Sequence, residues 1–155
     1  MKKLTVLIAF IALSIQAADK PNFILFITDD ISWDDLGCYG SKVAQTPHLD
    51  QMAKEGMRFN NAYLSISSCS PSRCSLISGR YPHNTGAAEL HTTLPADQPV
   101  FPEALQATGY YTVLSGKHHM GNAVDRGFNK VSGGKGPGKE EDWVPILKDR
   151  PKDKP

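Results

Sequence analysis

The fold is indicated first by the run Asn22-Phe-Ile-Leu-Phe-Ile-Thr-Asp-Asp30. Its first seven residues are continuous, mostly apolar, and rich in aromatic and β-branched side chains, which is typical of a strand buried on both faces of a parallel sheet. Open parallel sheets bind ligands at the carboxyl ends of their strands, and calcium or magnesium takes oxygen ligands. Asp29 and Asp30 are therefore candidate metal ligands, with a solvated turn as the alternative interpretation.

The segments that follow alternate between helical and extended patterns. A capping residue, an early proline, apolar spacing and a closing glycine predict helices over residues 46–56, 70–79 and about 102–109. Residues 57–63 and 110–114 have the composition of extended segments. This alternation predicts an α/β fold with a mostly parallel sheet flanked by helices.

The two ends of the chain differ in composition from its middle. Lys2 and Lys3 precede an apolar run and a small-residue cleavage point, so residues 1–17 are expected to be a secretory signal peptide, with a buried N-terminal helix as the alternative. The run is too short to span a bilayer. We therefore expect an exported protein, periplasmic or secreted, with no membrane span after cleavage. Residues 133–155 contain four Gly, four Pro and five Lys, which predicts an exposed loop.

Charge composition bears on possible partners. The chain has 155 residues, and its 17 Lys and Arg nearly balance 16 Asp and Glu. No basic cluster with interleaved aromatic residues appears before the last twenty-odd residues. Nucleic-acid binding normally needs such a cluster, so nucleic acid is excluded as an expected partner.

A second candidate site is the segment Cys69-Ser-Pro-Ser-Arg73. A side chain at a helix N-terminus meets the positive end of the dipole and unpaired backbone N–H groups, which favour anions. Arg73 adds a guanidinium one turn later, so the segment predicts a site for a tetrahedral anion. Two alternatives are a Cys69–Cys74 disulfide and a cysteine-phosphatase loop from Cys74 to Arg80.

A third group of polar side chains, Lys117-His118-His119, follows the predicted strand over residues 110–114. It is expected at the same edge of the sheet as Asp29 and Asp30. Lys117 can neutralise an anionic substrate, and His119 can transfer a proton. Exposed surface residues of no special function are the alternative interpretation.

Together these three segments closely resemble the type I sulfatase family of the alkaline phosphatase superfamily. Residues 69–73, followed by Leu76-Ile-Ser-Gly-Arg80, resemble its C-x-P-S-R signature with the L-x-(T/S)-G-R tail. Residues 109–119 resemble its second signature, and Asn22 to Asp30 with Thr46 to Asp50 resemble its N-terminal pattern. The resemblance covers nearly all of residues 20–131. It implies a sulfatase-like α/β fold and hydrolysis of sulfate esters or sulfamates.

The resemblance also implies a modified nucleophile and a metal. Cys69 would be oxidised by a maturation enzyme to formylglycine. One hydroxyl of the hydrated aldehyde would attack sulfur, and the other would expel sulfate. One calcium ion would be held by Asp29, Asp30 and the modified Cys69.

Further roles follow for the neighbouring side chains. Arg73 would steady the nucleophile and the metal ligands. Lys117 would contact the sulfate, and His119 would hold the second hydroxyl and assist its deprotonation. Similarity to the heparan N-sulfatase branch points to a glycosaminoglycan substrate, with His91 expected to line its pocket.

Relatives in this family are longer, and they supply an Asp-Asn metal pair, a further His and a further Lys from downstream segments. We therefore expect this chain to be an N-terminal fragment that is inactive and poorly stable alone. The expected substrate is a sulfated carbohydrate or a small sulfate ester. Two alternatives are a phosphonate or phosphate monoester hydrolase of the same superfamily and a non-catalytic paralogue that binds sulfated sugars.

Overall fold

A computed structural model describes residues 20–134, 136 and 138–155 of the chain. The predicted signal peptide lies outside the described residues. The helices and strands are α1 (Pro47–Glu55), α2 (Cys69–Ser78), α3 (Phe101–Ala107), β1 (Val113–Ser115), β2 (Lys130–Ser132) and α4 (Glu140–Lys148). Within the described residues the sheet consists of β1 and β2, which run parallel, with Leu114 opposite Val131.

The predicted helices are present, with shifted ends. Pro47 is the first residue of α1, as its pattern predicts. The second helix begins earlier than predicted, with Ser68 as the N-cap, because the N–H of Ser72 already donates to the carbonyl of Ser68 at 3.0 Å. Pro71 is tolerated inside the first turn, where backbone N–H groups have no helical partner. Gly79 ends α2 with a left-handed φ of 67°.

The predicted strand over residues 22–28 is absent from the structure. The side chains of Phe23 to Ile27 are exposed, Phe26 to 74%. A strand of a parallel sheet needs hydrogen-bonding neighbours and two covered faces, and neither β1 nor β2 pairs with this segment. It is instead held near Tyr110, whose hydroxyl donates to the carbonyl of Pro21 at 3.0 Å.

Two other extended segments also differ from prediction. Residues 57–63 form no strand, and the Tyr39 hydroxyl donates to the carbonyl of Phe59 at 2.8 Å. The strand predicted over residues 110–114 is β1, shorter and further along the chain. β1 begins at Val113 because pairing starts only where β2 lies opposite, at Lys130.

The prediction of an exposed loop over residues 133–155 is wrong for α4. Three acidic residues in its first turn and Lys148 in its last turn match the helix dipole. The Asp142 carboxylate accepts the backbone N–H of Lys139 at 2.9 Å, which caps the helix start. α4 packs against β1 and β2 and buries Ile146. Because glycine and proline are frequent around the helix, the composition of residues 133–155 is typical of a loop.

The apolar core lies between α2 and the segments on either side of α3 and β1. Cys74 and Ile77 of α2 meet residues from the loops before α3 and after β1, namely Ala87, Leu94, Val100, Met120 and Ala123. This packing fixes α2 against the loop that follows β1. In the part of the chain that the structure describes, the helices are too short and polar to cross a bilayer.

Candidate active site

The N-terminus of α2 presents Cys69, the first residue of that helix. Its thiol is free and partly exposed. Cys74 is also a free thiol, so the alternative of a Cys69–Cys74 disulfide is excluded. Cys74 is fully buried in the core, and this burial raises the pKa of its thiol, an effect that a hydrogen bond with Ser70 partly offsets. A buried thiol inside a helix cannot serve as the nucleophile of a phosphatase loop.

Arg73 connects three separate segments. Only 7% of this residue is exposed. Its guanidinium donates to the carbonyl of Lys117 at 2.6 Å and to Asp29 Oδ1 at 3.4 Å. A buried charge is stable only with such partners. Arg73 therefore anchors both the segment of Asp29 and the loop after β1 to α2.

Lys117 completes this charged cluster. Its ammonium donates to Asp29 Oδ2, while Arg73 holds the other carboxylate oxygen. The hydrogen bond from Lys117 lowers the pKa of Asp29 below its ordinary range. Partial burial opposes that lowering, and Arg73 adds to it. Asp29, Arg73 and Lys117 therefore lie together, although the strand that was predicted to position Asp29 is absent.

The loop that carries Lys117 is fixed by backbone contacts that sequence analysis did not identify. The N–H of Gly116 donates to Ser132 at 3.0 Å, and the N–H of His118 donates to Gly134 at 3.2 Å. Gly133 has φ 88°, and a Cβ there would lie 2.7 Å from the nitrogen of Gly116. Only glycine permits this approach. The adjacent glycines after β2, Gly133 and Gly134, were the sequence feature that could have indicated this close approach.

His119 lies beside this cluster and contacts His91. The distance from His119 Nε2 to His91 Nδ1 is 2.8 Å, although 28 positions separate the two residues. Desolvation lowers the pKa of His119 most, and electrostatic interactions with His91, Lys117 and Arg73 lower it further against a smaller opposing effect of Asp29. Neutral imidazole is therefore favoured at this position.

Asp30 follows Asp29 with a left-handed φ of 54°. The two carboxylates supply the oxygen ligands that calcium prefers, so their chemistry fits part of a metal site. The described residues contain no cluster of three His, Cys, Asp or Glu side chains that could hold an ion by itself. Asp29 and Asp30 thus fit as a partial ligand set.

The chain is similar to known proteins at the levels of family, sequence and structure. The family model described as Sulfatase matches residues 21–144. Arylsulfatase A of Bos taurus is 37% identical over 134 residues, which cover 83% of this chain and 26% of that protein. The N-acetylglucosamine-6-O-sulfatase of Bacteroides thetaiotaomicron is 37% identical over 105 residues, covering 68% of this chain and 19% of that protein.

Solved structures similar to this chain include sulfatases as well. One, a complex of a protein with its substrate D-glucosamine-2-N,6-O-disulfate, matches with a TM-score of 0.69 and 38% identity over 72% of this chain and 22% of that chain. A structure described as a 2-O GAG sulfatase matches with a TM-score of 0.60 and 31% identity over 67% of this chain and 24% of that chain. The chain spans about a quarter of the length of the curated arylsulfatases A that it matches.

Proposed function

This chain belongs to the sulfatase family, and from that premise we propose that the protein hydrolyses sulfate esters or sulfamates and releases inorganic sulfate. The observation that carries the proposal is the convergence of Arg73, Lys117 and Asp29 from three segments of the chain beside the start of α2. A guanidinium and an ammonium close to a helix N-terminus form a surface that favours a tetrahedral anion. Both cations contact the single carboxylate of Asp29, which leaves a net positive charge for the anion, so the proposed metal ligand and the anion site are organised together.

The two cations have different tasks in this proposal. Arg73 is buried and held by two acceptors, so it is a fixed support for the nucleophile and for Asp29. The Lys117 ammonium stands on a flexible stem and is more accessible than the guanidinium. Lys117 is therefore the cation that contacts the sulfate group. Its positive charge stabilises the negative charge that develops on the leaving oxygen as the bond from that oxygen to sulfur breaks.

Cys69 is the residue that we propose to be converted to formylglycine. Its thiol is free and partly exposed at the first position of α2. The modified residue supplies a hydroxyl nucleophile for attack on sulfur. Calcium, with Asp29, Asp30 and the modified Cys69 among its ligands, would offset sulfate charge when bound. His119, kept neutral by its surroundings, accepts a proton.

The proposed substrate is a sulfated carbohydrate of the glycosaminoglycan type. Support comes from the similarity to an N-acetylglucosamine-6-O-sulfatase and to a protein solved with a glucosamine disulfate. We further propose that the protein is exported to the periplasm or secreted, because residues 1–17 have the pattern of a signal peptide. The remaining proposed partner is a formylglycine-generating enzyme.

The test uses the complete protein co-expressed with a formylglycine-generating enzyme. Sulfate release is measured from glucosamine 6-sulfate, glucosamine N-sulfate and an aryl sulfate, with an aryl phosphonate as the comparison. Mass spectrometry of the Cys69 peptide should show the thiol replaced by an aldehyde. An unmodified thiol in fully active protein contradicts the mechanism, and faster phosphonate hydrolysis contradicts the assigned substrate class. Binding of the sulfated sugar without sulfate release indicates the non-catalytic alternative.

Substitution of Lys117 tests the anion site separately. Lys117→Met should lower kcat/KM by on the order of 100-fold, because a charged hydrogen-bond donor to the transition state is lost. Lys130→Met is the matched control. Lys130 forms an exposed ion pair with Asp149 at 3.3 Å, and such pairs contribute little. Equal kinetics for the two variants would show that Lys117 does not contact sulfate.

A further inference from the structure

The contact between His91 and His119 joins two strained loop positions. Their φ angles are 67° and 51°, in the left-handed region that residues other than glycine rarely adopt. The ring centroids are 4.8 Å apart, with a tilt of 48° between the planes. The two loops are also in close contact nearby, since a Cβ on Gly121 would lie 2.5 Å from the hydroxyl of Thr93. Strained residues of this kind persist where surrounding structure holds them, and they cluster at functional sites.

The surroundings of His119 Nδ1 determine the direction of the hydrogen bond between the two rings. Among the described residues, His119 Nδ1 is a buried atom with no hydrogen-bond partner. A neutral imidazole has one N–H donor and one lone-pair acceptor. A buried N–H group without an acceptor is rarer in proteins than a buried lone pair without a donor, so the unpartnered Nδ1 is assigned the lone pair. The N–H of His119 is therefore at Nε2, and His91 Nδ1 accepts it.

Exposure of His91 is consistent with this direction. Its ring lies at the surface, so water can accept the hydrogen bond from its Nε2–H. In this arrangement the N–H group of each ring has an acceptor. The opposite direction would leave His119 with a buried N–H that points to no acceptor among the described residues.

We propose that His91 is a positioning residue that accepts the Nε2–H of His119 and keeps the His119 Nδ1 lone pair available as the proton acceptor of the reaction. The inference rests on the sulfatase function proposed above and deepens it. In the step, the O–H bond of the second hydroxyl of the hydrated formylglycine breaks and its proton passes to His119 Nδ1. The electron pair of that O–H bond forms the aldehyde C=O bond, and the C–O bond to sulfate breaks with its electron pair leaving on sulfate. This role replaces the expectation that His91 lines the substrate pocket.

The kinetic test compares three variants of the complete, matured protein. His91→Asn keeps an acceptor, because Asn Oδ1 can take the place of His Nδ1 and asparagine tolerates left-handed φ. His91→Ala and His91→Gly remove the acceptor, and glycine also relieves the backbone strain. We expect Ala and Gly to lower kcat by about 10- to 100-fold with KM within about twofold, as for other partners that orient a histidine. Asn should stay within about threefold of wild type.

Two results would overturn the proposal. A raised KM with unchanged kcat would assign His91 to substrate binding, and an equal loss in Asn and Gly would show that the acceptor is irrelevant. His48→Ala, on the exposed face of α1, is the control for loss of a surface histidine. Thermal midpoints of all variants separate these effects from unfolding.

A second measurement does not depend on turnover. In complete protein labelled with ¹⁵N at histidine, the His119 signals should show a bare Nδ1 and a protonated Nε2, with assignment by their loss in His119→Gln. A protonated Nδ1 in the wild-type protein would refute the proposal whether or not sulfate is released. A bare Nδ1 in a protein without sulfatase activity would uphold the hydrogen bond and contradict the proposed function.

Discussion

Arg73 shows how one side chain can organise a charged site. It is separated by 44 positions from both Asp29 and Lys117, yet its guanidinium contacts both segments. Its several N–H groups are directed in fixed geometry, so it satisfies a backbone carbonyl and a carboxylate at once. A lysine at this position would offer a compact point charge on a flexible stem, without the fixed planar geometry that directs separate N–H groups to the two acceptors. The precise placement of Asp29 therefore depends on the arginine.

Cys69 and Cys74 differ in burial although both belong to α2. Cys74 is fully buried, and desolvation raises the pKa of its thiol. A raised pKa contributes stability that is present below the ordinary thiol pKa and is lost as the pH rises through the native value. Cys74 thus acts as a small core residue, whereas Cys69 remains accessible to chemical modification.

This difference predicts selective alkylation in protein made without the maturation enzyme. At about pH 8, iodoacetamide should label Cys69 at least about tenfold faster than Cys74, because labelling of a buried thiol requires opening of the core. Denaturant should remove the difference. Peptide mass spectrometry after timed quenching measures both rates, with the partly exposed Cys38 as an internal reference. Equal rates in the native protein would contradict the placement of Cys74.

At the scale of single residues, sequence motifs identified all three members of the charged cluster. Arg73, Lys117 and Asp29 each follow a recognisable local pattern, and the structure brings them together. The hydrogen bond between His91 and His119 was not predictable in the same way. It depends on two left-handed loop residues, and neither is a glycine or asparagine that would mark such a backbone.

Helices and strands differ in how far local sequence determines them. α1, α2 and α3 carry their own start signals, and they form within a few residues of their predicted positions. Strand pairing depends on a partner that is distant in sequence, so β1 begins where β2 lies opposite and not where its apolar run begins. α4 was missed because glycines and prolines dominate the composition around it, although its charges follow the helix dipole.

The close approach of the two strand ends gives a prediction for this part of the fold. Gly133→Ala should destabilise the native state by about 2 kcal/mol or more, since it combines a left-handed φ with a Cβ 2.7 Å from the nitrogen of Gly116. The shift should also displace Lys117. Gly134→Ala is the matched control, because a Cβ there meets nothing within 4 Å.

Chemical denaturation of the complete protein measures the change in stability for this glycine pair. The KM for the sulfate ester reports displacement of Lys117 and should rise only in Gly133→Ala. Similar behaviour of the two alanine variants would mean that the contact between Gly116 and Gly133 does not hold the loop. A loss of stability in Gly133→Ala without any change in KM would show that the strand ends do not influence the position of Lys117 in the anion site.

For the molecule as a whole, the apolar surface is unevenly covered. The core between α2 and the loops around α3 and β1 is closed, and the seven residues of its cluster, among them Cys74 and Ala123, are buried. The segment of Phe23 to Ile27 exposes its apolar side chains instead. Its composition is suited to the middle of a sheet, and the sheet of the described residues has only two short strands. Sequence identified the character of this segment, but its pairing depends on neighbours beyond its local pattern.

This contrast predicts uneven hydrogen exchange in the 155-residue chain studied alone. The amides of residues 22–28 make no backbone hydrogen bond to other described residues, so they should exchange at nearly unprotected rates. Amides in the later turns of α2, whose side chains enter the core, should exchange at least about tenfold more slowly. The exposed apolar side chains should also bind a hydrophobic dye such as ANS.

Exchange followed by mass spectrometry tests both segments in one sample, and α2 serves as the internal control. Protection of residues 22–28 equal to that of α2 would show that this segment pairs as a strand in the isolated chain. Its partner would be either the same segment of a second copy or another segment of the same copy. The dependence of that protection on protein concentration would then distinguish these two arrangements.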